Sequence, residues 1–177
     1  MRKIHLRSLM LKDVPFMYEW MTDPTITCFF RFDASKISVE SCRAFIETAQ
    51  TDPHTVHFAI ADENDEYLGT ISLKEIDSDQ KEAEYAVSTR KKAHGTGAAL
   101  EATRLILRYA FEELGLERVY LNVLAENGRA NAFYRKAGFR FLREEPEALE
   151  LRGERKALNW YEITNTEFTE NMHGTEE

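Results

Sequence analysis

A strand-like run from Ala83 to Ser88 passes through three basic residues into Gly95-Thr96-Gly97 and then into a helical pattern from about Thr96 to Leu114. This strand, glycine turn and helix constrain the fold more than any other stretch. Two glycines two positions apart let the backbone turn sharply and approach a ligand closely. A helix starting there presents N–H groups that have no intrahelical acceptor, a natural seat for phosphate or pyrophosphate. Taken alone, a Gly-x-Gly turn serves equally well as an ordinary strand-to-helix connection. The flanks add Arg90, Lys91 and Lys92 in a chain whose formal net charge is -8, so positive charge is gathered at this point. No Gly-Lys-Ser/Thr follows, which excludes the P-loop, and Leu100 stands where the dinucleotide fingerprint needs a third glycine.

The loop resembles the acetyl-coenzyme A loop of the GNAT acetyltransferases, in which Gln or Arg is followed by two residues, a Gly, any residue, and Gly or Ala. Lys92 takes the first slot and Gly95 and Gly97 the others. Lys keeps the charge of Arg but loses its planar fork. A second block, Asn127-Gly128-Arg129-Ala130-Asn131-Ala132-Phe133-Tyr134-Arg135-Lys136-Ala137-Gly138-Phe139, is similar to the family's Asn-x-x-Ala-x-x-x-Tyr-x-x-x-Gly-Phe signature. The resemblance runs from roughly Ile4 to Ile163, and its upstream segment looks most like the subfamily that acetylates ribosomal-protein N-termini, polyamines and amino sugars. It implies an α/β (α+β) single-domain fold over residues 1–165, with a mixed, mostly antiparallel sheet flanked by helices. It also implies coenzyme A between the fourth and fifth strands.

The residues themselves bound the same answer. A chain of 177 residues, 43% hydrophobic, can bury one good core and is short for two. Met1-Arg2-Lys3-Ile4-His5-Leu6 alternates charged with apolar residues, unlike a signal peptide, and no long apolar span follows, so a cytoplasmic location is expected. Cys28 and Cys42 have no metal-ligand spacing to any histidine, and His54 and His57 should point to opposite strand faces, so no metal is expected. The acidic balance argues against nucleic-acid binding and permits a cationic acceptor.

Along the chain, Lys3 to Leu9 reads as a strand, and Asp13-Val14-Pro15 starts a helix carrying Phe16, Met17, Trp20 and Met21. A loop-like aromatic segment reaches Lys36, and Ser38 caps a helix to about Thr51 with Ser41 in the capping-box position. Thr55 to Ala61, Tyr67 to Ile76 and Ala83 to Ser88 form a meander. Beyond the helix that Gly115 stops, Arg118 to Leu124 is a strand, Arg129 to Ala137 a helix, and Phe139 to Arg143 and Ala157 to Ile163 a closing pair. The polar tail, 166–177, lacks periodicity and reads as disordered.

Acetyl transfer to an amine needs a base and a leaving-group acid. A lysine-like amine costs about 4.6 kcal/mol to deprotonate at pH 7, an α-amino group only about 1.4. Period two puts Glu82, Glu84 and Ala86 on one strand face, and in the resembling subfamily an acidic residue at Glu84 faces the acceptor; a solvent-facing charged strand side is the plain alternative. The family match makes Tyr134 the acid for the leaving thiolate, uphill by about 2 kcal/mol at ordinary pKa values. The resemblance places cofactor contacts at Val87, Lys92, Ala93, His94, Gly95, Thr96, Gly97, Ala98, Asn127 and Asn131. Acceptor contacts are expected at Trp20, Phe30, Arg31 and Asn122; aromatics that close the small core under a loop, and an exposed strand amide at Asn122, are the plain alternatives. The reading that ranks first is an N-acetyltransferase working by direct attack in a ternary complex on an amino sugar or sugar nucleotide, for which Arg31 could meet a phosphate. A protein N-terminus or a polyamine is the alternative, and a non-catalytic acyl-CoA binding module is the alternative of another class. Exposed sheet edges are compatible with a homodimer.

Overall fold

In the computed structural model, which describes residues 3–173, the chain runs β1 (His5–Ser8), α1 (Val14–Met21), α2 (Pro24–Thr27), α3 (Val39–Thr48), β2 (Val56–Ala61), β3 (Tyr67–Asp77) and β4 (Glu82–Thr89). It continues through α4 (Ala98–Arg108), β5 (Arg118–Leu124), α5 (Gly128–Lys136), β6 (Arg140–Leu151), β7 (Glu154–Thr164) and α6 (Asn165–His173). The strands follow the order β1-β2-β3-β4-β5-β7-β6, with β4 and β5 parallel. The β1–β2, β2–β3, β5–β7 and β6–β7 pairs are antiparallel. This is the mixed, mostly antiparallel sheet with helices that the sequence implies. Among the described residues no helix is long and apolar enough to cross a membrane.

The chain divides into two units, Met1–Ile76 with Ala86–Ile106 and Asp77–Tyr85 with Leu107–Glu177. In the first, Phe58 sits opposite Ile71, and Val14, Met17, Cys42, Ile46 and Ala59 close a core around Trp20 and Tyr67. Each of those aromatics buries a large apolar body only because its polar tip is satisfied. Trp20 Nε1 donates to the Tyr67 hydroxyl at 2.9 Å, and that hydroxyl also lies 2.7 Å from Thr70 Oγ1. α3 opens on the expected serine pair, with Ser41 N–H donating to Ser38 Oγ at 3.0 Å and Ser38 N–H to Ser41 Oγ at 2.9 Å. Asp13, buried, accepts from Met10 N–H at 2.9 Å and pairs with Arg7, rather than capping α1 by its side chain.

In the second unit, β5 and β7 register from Arg118 opposite Thr164 to Leu124 opposite Leu158. β6 and β7 form a long hairpin across Arg152-Gly153, both at positive φ (52° and 80°), as a two-residue turn demands. The closing strands are therefore longer than the sequence pattern suggests. The final helix, Asn165–His173, is the larger departure, because it covers residues 166–173 where a disordered tail was expected; residues 174–177 lie outside the described residues. Thr164 and Glu167 form a reciprocal cap, Thr164 N–H to Glu167 Oε2 at 2.9 Å and Glu167 N–H to Thr164 Oγ1 at 3.2 Å, and Phe168 buries itself against Phe111, ring centres 5.5 Å apart. The helix after the glycines ends differently too: past Arg108 it widens, Leu114 N–H reaching Tyr109 O, before Gly115 stops it at φ 66°.

Candidate active site

The glycine loop lies in the first unit. After Arg90 the chain makes one tight turn, Lys91–Ala93, then passes through Gly95 (φ 75°) and Gly97 (φ 85°) into α4, whose first bond is Glu101 N–H to Gly97 O at 3.0 Å. Both glycines hold a left-handed backbone, and a Cβ on either would meet nothing within 4 Å. The conformation demands glycine, while the space leaves the backbone accessible. Thr96 Oγ1 steadies the turn, donating to Ala93 O at 2.7 Å and accepting from Ala98 N–H at 3.3 Å. Ala93 and Ala98 are buried, so their side chains brace the loop and only their backbone can face a ligand. His94 and Val87 are half-buried.

The basic residues are engaged differently from what the sequence suggests. Arg90, only 7% exposed, donates to Glu19 Oε2 at 2.8 Å, to Glu66 Oε1 at 2.8 Å and to Tyr67 O at 3.0 Å, with its guanidinium 4.5 Å from the Phe16 ring centre. It anchors the loop and offers no charge to a ligand. Lys92 Nζ lies 2.6 Å from Glu66 Oε1, so its charge is already matched. That hydrogen bond and the Arg90 guanidinium hold the Glu66 carboxyl below the usual range.

Trp20, placed in the acceptor pocket by the sequence reading, is 6% exposed and belongs to the core, with its indole nitrogen spent on Tyr67. Phe30 packs between it and Phe32, at 5.9 and 5.4 Å between ring centres. Arg31 is exposed. The aromatic loop thus closes the small core, a role its spacing could not separate from a pocket wall. Of the histidines, Nδ1 of His57 lies 2.6 Å from Ser72 Oγ and Nδ1 of His54 lies 2.9 Å from Ile76 O.

The second unit carries Tyr134 on α5. Its ring sits 6.1 Å from Tyr85, 6.1 Å from Phe139 and 6.1 Å from Tyr161. Burial pushes its hydroxyl up to about 12. Against a thiol at ~8.5, proton transfer is then uphill by roughly 5 kcal/mol instead of the smaller figure that ordinary values suggest. The helix dipole gives no relief, because Tyr134 lies near the negative, C-terminal end of α5. The same apolar surroundings raise a thiol's own pKa, which narrows the gap.

Asn127 caps α5, accepting from Ala130 N–H at 3.2 Å. Asn131 is fully committed inside the protein, its amide donating to Leu124 O and Asn127 O and its oxygen accepting from Asn159 and Tyr161. Its side chain therefore has no capacity left for a cofactor, contrary to the role drawn from the resemblance.

The other face of the same sheet region was not legible as a unit. The β4–β5 ladder pairs Glu82 with Arg118 and Glu84 with Tyr120; across β5, Tyr120 faces Glu162 and Asn122 faces Trp160. Glu84 and Asn122 are thereby brought onto one face, joined by two aromatics that sequence reasoning missed, Tyr120 and Trp160, with ring centres 6.4 Å apart. Arg118 lies 4.8 Å over Tyr120, Arg143 lies 4.9 Å over Trp160, and Trp160 Nε1 donates to Glu145 at 2.8 Å. Arg118 also bridges Glu82 and Glu162. Tyr85 and Tyr134 occupy the opposite face. Alternation along β5 and β7 assigns each residue to a face, but only the β4–β5 and β5–β7 registers bring those faces together.

Residues 3–140 match the family model described as the acetyltransferase (GNAT) domain. The chain belongs to the GNAT acetyltransferase family. Membership makes it an N-acetyltransferase by class, as the paired motifs imply. Among relatives, spermidine N(1)-acetyltransferase of Escherichia coli K12 is 26% identical over 141 residues, 77% of this chain and 72% of that one. The enzyme of the same name from Vibrio cholerae serotype O1 is 25% identical over 137 residues, 77% of this chain and 79% of that one. Among solved structures, the Vibrio cholerae spermidine N-acetyltransferase in complex with CoA and spermine superposes with a TM-score of 0.84 at 22% identity, covering 94% of this chain and 98% of that one.

Proposed function

We propose that this GNAT protein transfers the acetyl group of acetyl-CoA to a primary amine of a polyamine such as spermidine. The observation that carries the acceptor class is the Glu84 carboxylate, set on one sheet face with Tyr120, Asn122 and Trp160, where a cationic amine can meet it; the two rings themselves are covered by Arg118 and Arg143. The likeness to spermidine acetyltransferases over 77% of the chain supports the same class. This replaces the amino-sugar reading ranked first on sequence, which leaned on Arg31.

Glu84, directly or through one water, takes the proton of the attacking amine, a step that matters for an alkylamine because its free base is scarce at neutral pH. Backbone N–H groups from Gly95 to the first turn of α4 bind the pyrophosphate, and Lys92 contributes by exchanging Glu66 for a phosphate. Tyr134 donates its proton to the departing thiolate. Glu84 and Tyr85 are neighbours on β4 and point to opposite faces, and Tyr134 lies on the Tyr85 side.

Thiol release from acetyl-CoA, followed with each acceptor in turn, tests the reading. Spermidine should give saturable release. Release with an amino-sugar nucleotide or an N-terminal peptide and none with spermidine overturns the acceptor class, and no thermal stabilisation by acetyl-CoA at a hundred times an expected dissociation constant, about 2.7 kcal/mol, overturns the cofactor.

A further inference from the structure

Asn131 stands one helical turn before Tyr134 on α5 and is 6% exposed. A side-chain amide has two N–H donors and an oxygen with two lone pairs. All four are used: the donors reach Leu124 O at 3.1 Å and Asn127 O at 2.7 Å, and the oxygen accepts from Tyr161 Oη at 2.7 Å and Asn159 Nδ2 at 2.8 Å. The two carbonyl partners fix which end of the amide is nitrogen, so the oxygen can only face β7. The end of β5, the start of α5 and β7 are thereby tied together at one atom group.

Tyr161, 0% exposed, enters twice. Its hydroxyl bonds the anchor, and its ring packs against Tyr134 at 50°. Asn159 has a further oddity, because its Oδ1 is buried with no hydrogen-bond partner among the described residues. An orphaned acceptor costs stability, and such a group calls for an explanation. The explanation offered by the geometry is that the donor on the same amide is needed, since an apolar residue of similar size would remove the orphan.

We propose that Tyr161 and Asn159, acting through Asn131, are positioning residues that hold the Tyr134 hydroxyl where it must deliver its proton. The inference rests on the reading of Tyr134 as the proton donor. Neither residue touches the reacting atoms in this account; both set the placement of one that does.

A four-protein cycle of the full chain tests it: wild type, Tyr161→Phe, Tyr134→Phe and the double variant, assayed with acetyl-CoA and spermidine. Tyr161→Phe keeps the ring and removes one buried donor. It should lower kcat roughly tenfold, as a small misplacement of a reacting group does, with both KM values within about twofold. In the Tyr134→Phe background the same change should lower kcat no further, since the group being positioned is gone. Equal losses in both backgrounds, or no loss in the wild type, overturn the positioning role alone. A Tyr134→Phe protein with undiminished kcat overturns the donor reading instead. Asn159→Leu supplies a second variant that loses the donor and the orphaned acceptor together; its melting temperature should stay close to wild type while kcat falls, and an unchanged kcat contradicts the proposal.

Discussion

In the loop from Arg90 to Ala98 two of the three basic side chains are already matched, Arg90 by Glu19 and Glu66 and Lys92 by Glu66, while Lys91 is exposed and the backbone at Gly95 and Gly97 has open space beside it. On α5 the relation is reversed. Asn127 and Asn131 are spent on fixing the helix, and the tyrosine they frame is the group left to act. In the proposed mechanism one region recognises through main chain held by side chains, and the other reacts through a side chain held by main chain and buried amides. Substitutions should separate accordingly, loop changes acting on cofactor affinity and α5 changes on turnover.

The largest expected effect is Tyr134→Phe, which should lower kcat by roughly 10²–10⁴-fold with little change in the KM for acetyl-CoA, read from steady-state kinetics. A KM effect of similar size would erase the distinction between the regions. Arg90→Ala removes the loop's anchor and takes one cation from the partly exposed Glu19 and Glu66 carboxylates. Because Glu19 is half exposed, the loss should be moderate, roughly 2–3 kcal/mol, or about 5–10 °C in melting temperature. Gly97→Ala imposes a left-handed conformation on a residue with a Cβ, about 1–2 kcal/mol. With no clash to relieve, the cost should appear as roughly tenfold weaker acetyl-CoA binding, measured by titration, with saturated kcat retained. Lys92→Ala should weaken cofactor binding less than about fivefold and flatten its dependence on salt.

The smallest effect concerns the first unit's ion cluster. Lys12 and Arg7 hydrogen-bond Asp65 and hold its carboxyl down to about 2. A depressed carboxyl contributes stability above its unfolded value near 3.8 and loses it as pH falls toward 2. Asp65→Asn should therefore flatten the acid limb of a melting-temperature profile between those values and leave the neutral region nearly unchanged.

Much of this was legible in the residues. β5 spans the strand read from sequence, Arg118–Leu124, because Val119, Leu121 and Val123 alternate with Arg118, Tyr120 and Asn122 in the period-two pattern of a strand. The glycine loop was legible because a left-handed backbone leaves its mark as glycine. Residues 166–173 were misread although Thr164-Asn165-Thr166-Glu167 carries a capping-box signature, since one buried aromatic, Phe168, gives no periodicity to detect. Trp20 and Asn131 were assigned to ligands because sequence shows a residue's chemistry and not whether that chemistry is already satisfied. Tyr120 and Trp160 were missed because the face they share exists only through strand register.

The most direct test offers the protein limiting acetyl-CoA with equimolar spermidine, an amino-sugar nucleotide and a peptide with a free N-terminus, and identifies the acetylated product by mass spectrometry. Acetylspermidine as the dominant product, abolished by Tyr134→Phe, is the predicted result. Acetylated sugar or peptide with spermidine untouched would contradict it.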